Sequence, residues 1–308
     1  MKHFLSTFLL GLISFISMLL FMEAIIIPNI PNEFSYKYDY VTTHKDDISI
    51  LLIGNSYFEN SINPSLIGDS VFDFASSARW VYYDLQLLNT FVPKMSNLHT
   101  VIYPMGYKVP FMSYHEDPRT TVDFYHQKYM HVWYNHFPQN VDRWLAVKYS
   151  DRIGFKPWST YMDSTWKGDF MFNGHSGDTW REDQNISPEI IYAPNVEENI
   201  IEYKGYLTDM AKICQDNGVR FIVVTPPCHD AFYQNVRTEG IEKMYEIIEE
   251  IQLIVPFEYK NYLFDEEYRA DSLHYNCSHL NKVGADKFAL QIKRDFNLYN
   301  KYQPTEIP

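Results

Sequence analysis

Basic residues are scarce in this chain: 26 Lys and Arg stand against 39 Asp and Glu in 308 residues, a formal net charge of −13. An acidic surface repels a phosphate backbone, and no basic stripe offsets it, which argues against a nucleic-acid partner. Cysteine is scarcer still, with only Cys214, Cys228 and Cys277. Their spacing fits no zinc pattern, and an odd number argues against a disulfide framework; one bridge at most, or three free buried thiols, are the two readings. His126, His131 and His136 recur every five residues, which does not place them on one helical face. No metal and no cofactor is expected. Internal repeats and low-complexity tracts are also lacking.

Charge is almost absent from Phe4 to Ile27, where Glu23 alone is ionisable. About 24 apolar residues cross a hydrocarbon core of ~30 Å with some tilt. The run is longer than a signal peptide's apolar region and lacks an Ala-x-Ala site, so an uncleaved single-pass anchor is expected over residues 1–28, ended by Pro28. Lys2 on one side and Lys37 and Lys45 on the other give little orientation bias. A membrane localisation with the bulk of the chain extracytoplasmic is expected, on grounds of function more than charge.

The rest has an ordinary globular composition, 46% hydrophobic and 21% charged. Its length accommodates one anchor with one large α/β domain, or two small domains. Residues 29–47 read as a polar, aromatic linker. Ile48–Ile53, Val71–Ala75, Thr100–Tyr103 and Phe221–Val224 read as short buried strands, and Ile251–Phe257 as a further candidate. Helices are expected over 79–92, 197–217 with Gly218 as its cap, 237–251 and 282–296. Strands alternating with helices imply a parallel sheet covered on both faces. Residues 107–195 break the alternation. They hold five of the six tryptophans and read as an insertion over one sheet edge. Aromatics make up 17% of the chain, and either fill core and loops or offer flat surfaces to sugar rings.

Two short blocks carry chemistry. Gly54-Asn55-Ser56 follows the first strand, where an α/β sheet forms its sites and a helix start presents N–H groups. Alone, it is equally a polar turn with a capping residue. His279-Leu280-Asn281 precedes the last helix, which Asn281 can cap. Together, IGNSYFENSINP (53–64) and NCSHLNKVGADKF (276–288) resemble two signature blocks of the SGNH/GDSL hydrolase superfamily, and most closely its membrane-anchored branch near polysaccharide O-acyltransferases.

That resemblance implies a three-layer flavodoxin-like parallel sheet over residues 48–300, with helices on both faces and the N-terminal transmembrane helix ahead of it. It casts Ser56 as nucleophile and His279 as general base. The family's Asp, three residues before the His, is replaced by Asn276; Asp271, which makes a DxxH pair with His274, is the other candidate for that charge. The family's oxyanion donors are the nucleophile's own N–H, a Gly and an Asn. Here the matching places hold Ser56, then Ser76 and Ser77, then Gly106. His229, after a strand, is a lesser site candidate.

The implied function is an acyl-ester hydrolase or O-acyltransferase acting on a polysaccharide or other acylated carbohydrate, with membrane proteins as further partners. The alternative is an inactive glycan-binding or scaffold relative.

Overall fold

The computed structural model describes residues 2–21, 33–59, 61–76, 79–112, 191–192, 194–233 and 236–299. These divide into two compact units: residues 2–21 with 33–39, and the residues from Tyr40 onward. Most of the expected insertion, with His126, His131, His136 and its tryptophans, lies outside the described residues, as does Ser77.

The first unit contains helix α1, Lys2–Phe21. Its 19 residues His3–Phe21 are long and apolar enough to cross a membrane, and their side chains are unburied. Helix α2, Glu33–His44, occupies the segment expected as a linker and runs into the second unit. There Val41 is fully buried and Tyr40 stacks on Phe72 at 5.0 Å. The end of the helix from Tyr40 onward is therefore packed within the second unit.

Among the described residues of the second unit, five strands form one parallel sheet: β1 Ile50–Leu52, β2 Val71–Asp73, β3 Thr100–Pro104, β4 Arg220–Thr225 and β5 Glu258–Asn261. The order is β2-β1-β3-β4-β5. This is the flavodoxin-like order, whose direction reverses between β1 and β3; ligands gather at the carboxyl ends of strands beside that reversal. Strand residues alternate between faces. Ile50, Leu52, Ile102, Ile222 and Val224 join one core with Ile67, Ala285, Phe288 and Ile292. That side is covered by α3 (Ser56–Glu59), α4 (Pro64–Ile67) and the C-terminal helix α9 (Lys282–Asp295). The opposite layer is built by α5 (Val81–Phe91) against α6 (Val196–Asp216), and a short α7 (Asp230–Tyr233) follows β4.

Helix ends follow the expected chemistry. Gly218 takes φ +68 after α6, its N–H donating to Gln215 O at 3.0 Å and that of Val219 to Cys214 O at 2.8 Å, a complete Schellman closure. Asn281 caps α9 by accepting from Gly284 N–H at 3.0 Å. The strand expected over Ile251–Phe257 is not one. Helix α8, Thr238–Gln252, runs on through Ile251, because Met244, Ile247, Ile248 and Ile251 make one buried stripe. Leu253 and Ile254 then turn in the open, and the strand is the polar Glu-Tyr-Lys-Asn of β5 at the sheet's edge.

Candidate active site

The carboxyl end of β1 leads into Gly54, which sits at φ +116. A Cβ there would lie 2.4 Å from Pro104 Cδ, so backbone conformation and the closeness of β3 both demand glycine. The turn is then locked. Asn55 Oδ1 accepts from Tyr57 N–H at 3.1 Å, and Asn55 O accepts from Phe58 N–H at 2.9 Å. Ser56 thus becomes the first residue of α3, where an N–H has no acceptor within its own helix.

His279 arrives on a tight hairpin of β6 (His274–Asn276) and β7 (His279–Leu280), paired antiparallel. Asn276 builds the turn: its Oδ1 accepts from Ser278 N–H at 3.0 Å and from His279 N–H at 2.8 Å. Two backbone donors aimed at one atom fix the amide's orientation, so that atom is the oxygen. The same Oδ1 lies 3.0 Å from His279 Nδ1, which therefore carries the ring proton and donates it. Nε2 is left bare, and Ser56 Oγ–H donates to it at 2.8 Å. The ring lies parallel to that of Tyr57, 5.4 Å away. Leu280 N–H reaches back to Ser61 Oγ at 3.2 Å, tying the His279 hairpin to the segment that follows Ser56.

Ser56, Asn276 and His279 are therefore brought together, although Ser56 and His279 lie 223 residues apart in the chain. Asp271 is not joined to them: its Oδ1 lies 2.7 Å from Nε2 of His229. His229 Nδ1 accepts from Ala231 N–H at 3.0 Å, so Nε2 is the donor to Asp271 and both ring nitrogens are engaged in holding loops together. His274 of the DxxH pair is fully buried, and its Nε2 donates to Tyr268 O at 2.5 Å. Burial pushes its pKa down to about 4. All three thiols are buried and unbridged, and burial raises those of Cys214 and Cys228, which removes them as nucleophiles at neutral pH.

Of the expected oxyanion donors, Ser76 has already spent its N–H on Gly54 O at 2.9 Å. Its hydroxyl is buried and has no hydrogen-bond partner among the described residues. Gly106 has a packing role: a Cβ there would meet the Tyr57 ring at 2.2 Å, so its lack of a side chain makes room for the ring that backs His279. Sequence reasoning passed over Arg79 and Asp84, a buried ion pair at 3.0 Å wrapped around Gly54. Two opposite charges five residues apart, inside an otherwise apolar stretch, were the available signal.

A serine after the first strand at the topological reversal, a histidine before the last helix and the strand order 2-1-3-4-5 agree with the arrangement implied by the two signature blocks. The fold is a flavodoxin-like parallel sheet of order 2-1-3-4-5 among the described residues. No protein-family model matches the chain, and no curated protein matches it. Solved structures with some likeness are a GDSL-like lipase from Bacteroides thetaiotaomicron (13% identity, 86% of this chain, 98% of that one, TM-score 0.39). An acylhydrolase candidate from Bacteroides fragilis follows (10% identity, 87% and 98%, TM-score 0.41). A platelet-activating-factor candidate from Streptococcus pneumonia is similar at 12% identity over 94% of this chain and 99% of that one, with TM-score 0.43.

Chemically, a serine hydroxyl bonded to a bare imidazole nitrogen is equipped for acyl transfer. His279 Nε2 can take the Ser56 proton as Oγ attacks an acyl carbonyl, then return it to the leaving alcohol. The Ser56 N–H, at the head of α3, is available to an oxyanion.

Proposed function

We propose that this chain is a Ser–His acyl-ester enzyme, a hydrolase or O-acyltransferase, acting on an acylated cell-surface or exported polysaccharide from an extracytoplasmic, membrane-tethered position. The 2.8 Å contact between Ser56 Oγ and an Nε2 whose tautomer is set by Asn276 carries this reading. The acyl-enzyme splits the reaction in two, so water or a sugar hydroxyl can close it. Support for a carbohydrate acceptor comes from the tryptophan-rich stretch 107–195, and support for tethering from α1. Reaction of the full-length chain in detergent with a serine-directed fluorophosphonate tests it. Peptide mapping should place the adduct on Ser56, and His279→Ala should abolish it.

Asn276 favours a second reading. An amide cannot neutralise an imidazolium, and a site relieved of catalysis could keep the fold as a glycan-binding or scaffold protein. A folded chain that binds acylated glycan but takes no label would establish that reading and overturn the first.

A further inference from the structure

Arg79 and Asp84 are 1% exposed and pair at 3.0 Å between Arg79 Nε and Asp84 Oδ1. Burying two charges is costly, and a buried pair is weak evidence for stability, since apolar replacements of similar volume often do as well. What the pair holds is more informative. Asp84 Oδ1 accepts from Gly54 N–H at 3.0 Å, and Arg79 Nε donates to Gly54 O at 3.1 Å. Both backbone polar groups of the residue two before the nucleophile are thus held by one ion pair. The same guanidinium donates through Nη2 to Phe74 O, and Arg79 N–H donates to Ser76 O at 3.1 Å. One side chain therefore ties the carboxyl end of β1, which leads to Ser56, to the carboxyl end of β2, which leads to Ser76.

We propose that the Arg79–Asp84 pair is a positioning device that holds the Ser56 turn in register with the end of β2, so that the Ser56 hydroxyl stays aimed at His279 Nε2 and its N–H stays aimed at the developing oxyanion. The proposal rests on the Ser–His reading above. Gly54 at φ +116 has no side chain to restrain it, so its two flanking peptide planes need outside anchors, and the pair supplies one to each. Preorganised donors matter because they need no rearrangement as charge develops, and loss of one typically costs about 10²–10³-fold in rate. Burial pushes the Asp84 carboxyl up to about 6 against the pull of Arg79 and of Gly54 N–H, so the pair is kept at neutral pH at a cost that packing alone does not require.

The test follows the second-order rate of fluorophosphonate labelling at Ser56, and kcat and KM on a p-nitrophenyl ester, in the full-length chain. Arg79→Gln, Arg79→Lys and Asp84→Asn are compared with Leu88→Ala, a cavity at a fully buried site on the same helix as Asp84. We expect Arg79→Gln to lower labelling and kcat by about a hundredfold with KM within about twofold. Arg79→Lys should recover part of the loss. Asp84→Asn, which keeps an oxygen for Gly54 N–H, should lose about tenfold. Leu88→Ala should lower Tm while labelling stays at the wild-type rate below its transition. Folded Arg79 and Asp84 variants that label like wild type would overturn the proposal while leaving the Ser–His reading intact, as would losses that merely track Tm across all four variants. Should Arg79→Gln fail to fold, Arg79→Lys and Asp84→Asn decide the question. A wild-type chain that takes no label would sink the Ser–His reading itself, and the proposal with it.

Discussion

The two halves of the site are held by different means. On the nucleophile side, a buried ion pair and a glycine with positive φ lock the turn before Ser56. On the base side, a neutral amide does everything: Asn276 Oδ1 folds the hairpin and sets the tautomer of His279. Charge is invested in placing the serine backbone, and the orientation of the imidazole is achieved without it. Orientation and charge are therefore separable duties of the third residue in a Ser–His site, and Asn276 performs the first without the second.

The bluntest way to break the comparison is to remove either reacting group. Ser56→Ala and His279→Ala should each lower ester hydrolysis by about 10³-fold or more, with circular dichroism unchanged, because the two residues act as a unit. Retained turnover in folded Ser56→Ala would sink the assignment. Next in size is the nucleophile side's backbone. Gly54→Ala forces a Cβ to 2.4 Å from Pro104 Cδ at φ +116, so stability should fall by about 2–4 kcal/mol, read by urea denaturation. An alanine variant as stable as wild type would show that the turn does not require glycine.

The two halves should also answer pH in opposite directions. Burial lowers the His274 pKa from 6.5 to about 4, so this residue's contribution to stability is complete above pH ~6.5 and is lost as pH falls towards 4. Burial raises Asp84 from 3.8 to about 6, so its contribution is complete below pH ~4 and is lost as pH rises towards 6. Denaturation curves across this window should show His274→Gln removing on the order of 1–3 kcal/mol of acid sensitivity, and Asp84→Asn flattening the opposite slope. A His274 variant with the wild-type acid dependence would place the titrating group elsewhere.

Much of this architecture was readable from the residues. Four apolar runs became β1 to β4, apolar spacing located α5, α6, α8 and α9, and two motifs 223 residues apart came together at Ser56 and His279. What escaped has a common physical reason: it depends on contacts that local pattern does not record. β5 is an edge strand whose polar residues need only one sheet neighbour, whereas the apolar Leu253 and Ile254 that drew attention lie exposed in a turn. α2 carries no strong apolar stripe and packs through Val41 and Tyr40. Asp271 has the spacing to serve His274 or His279, yet the fold aims it at His229. Arg79 and Asp84 match no motif, because their target is the backbone of Gly54 and not a side chain.

Asn276→Asp sharpens the comparison with the smallest expected change. The carboxylate can accept the same three donors, Ser278 N–H, His279 N–H and His279 Nδ1–H, so hairpin and tautomer persist. Only the charge is new. It favours the imidazolium that forms as Ser56 attacks, so kcat should rise about tenfold, and the acidic limb of the rate profile should move to higher pH. In the serine-protease example, exchanging Asp for Asn costs ~10⁴-fold because the amide imposes the wrong tautomer. Here the amide already imposes the right one, so the reverse exchange returns only the electrostatic part. A pH–rate profile of the two enzymes decides it: an unchanged rate would mean that orientation is all the third residue supplies, and a fall would mean that the Asn276 amide makes a contact the carboxylate cannot.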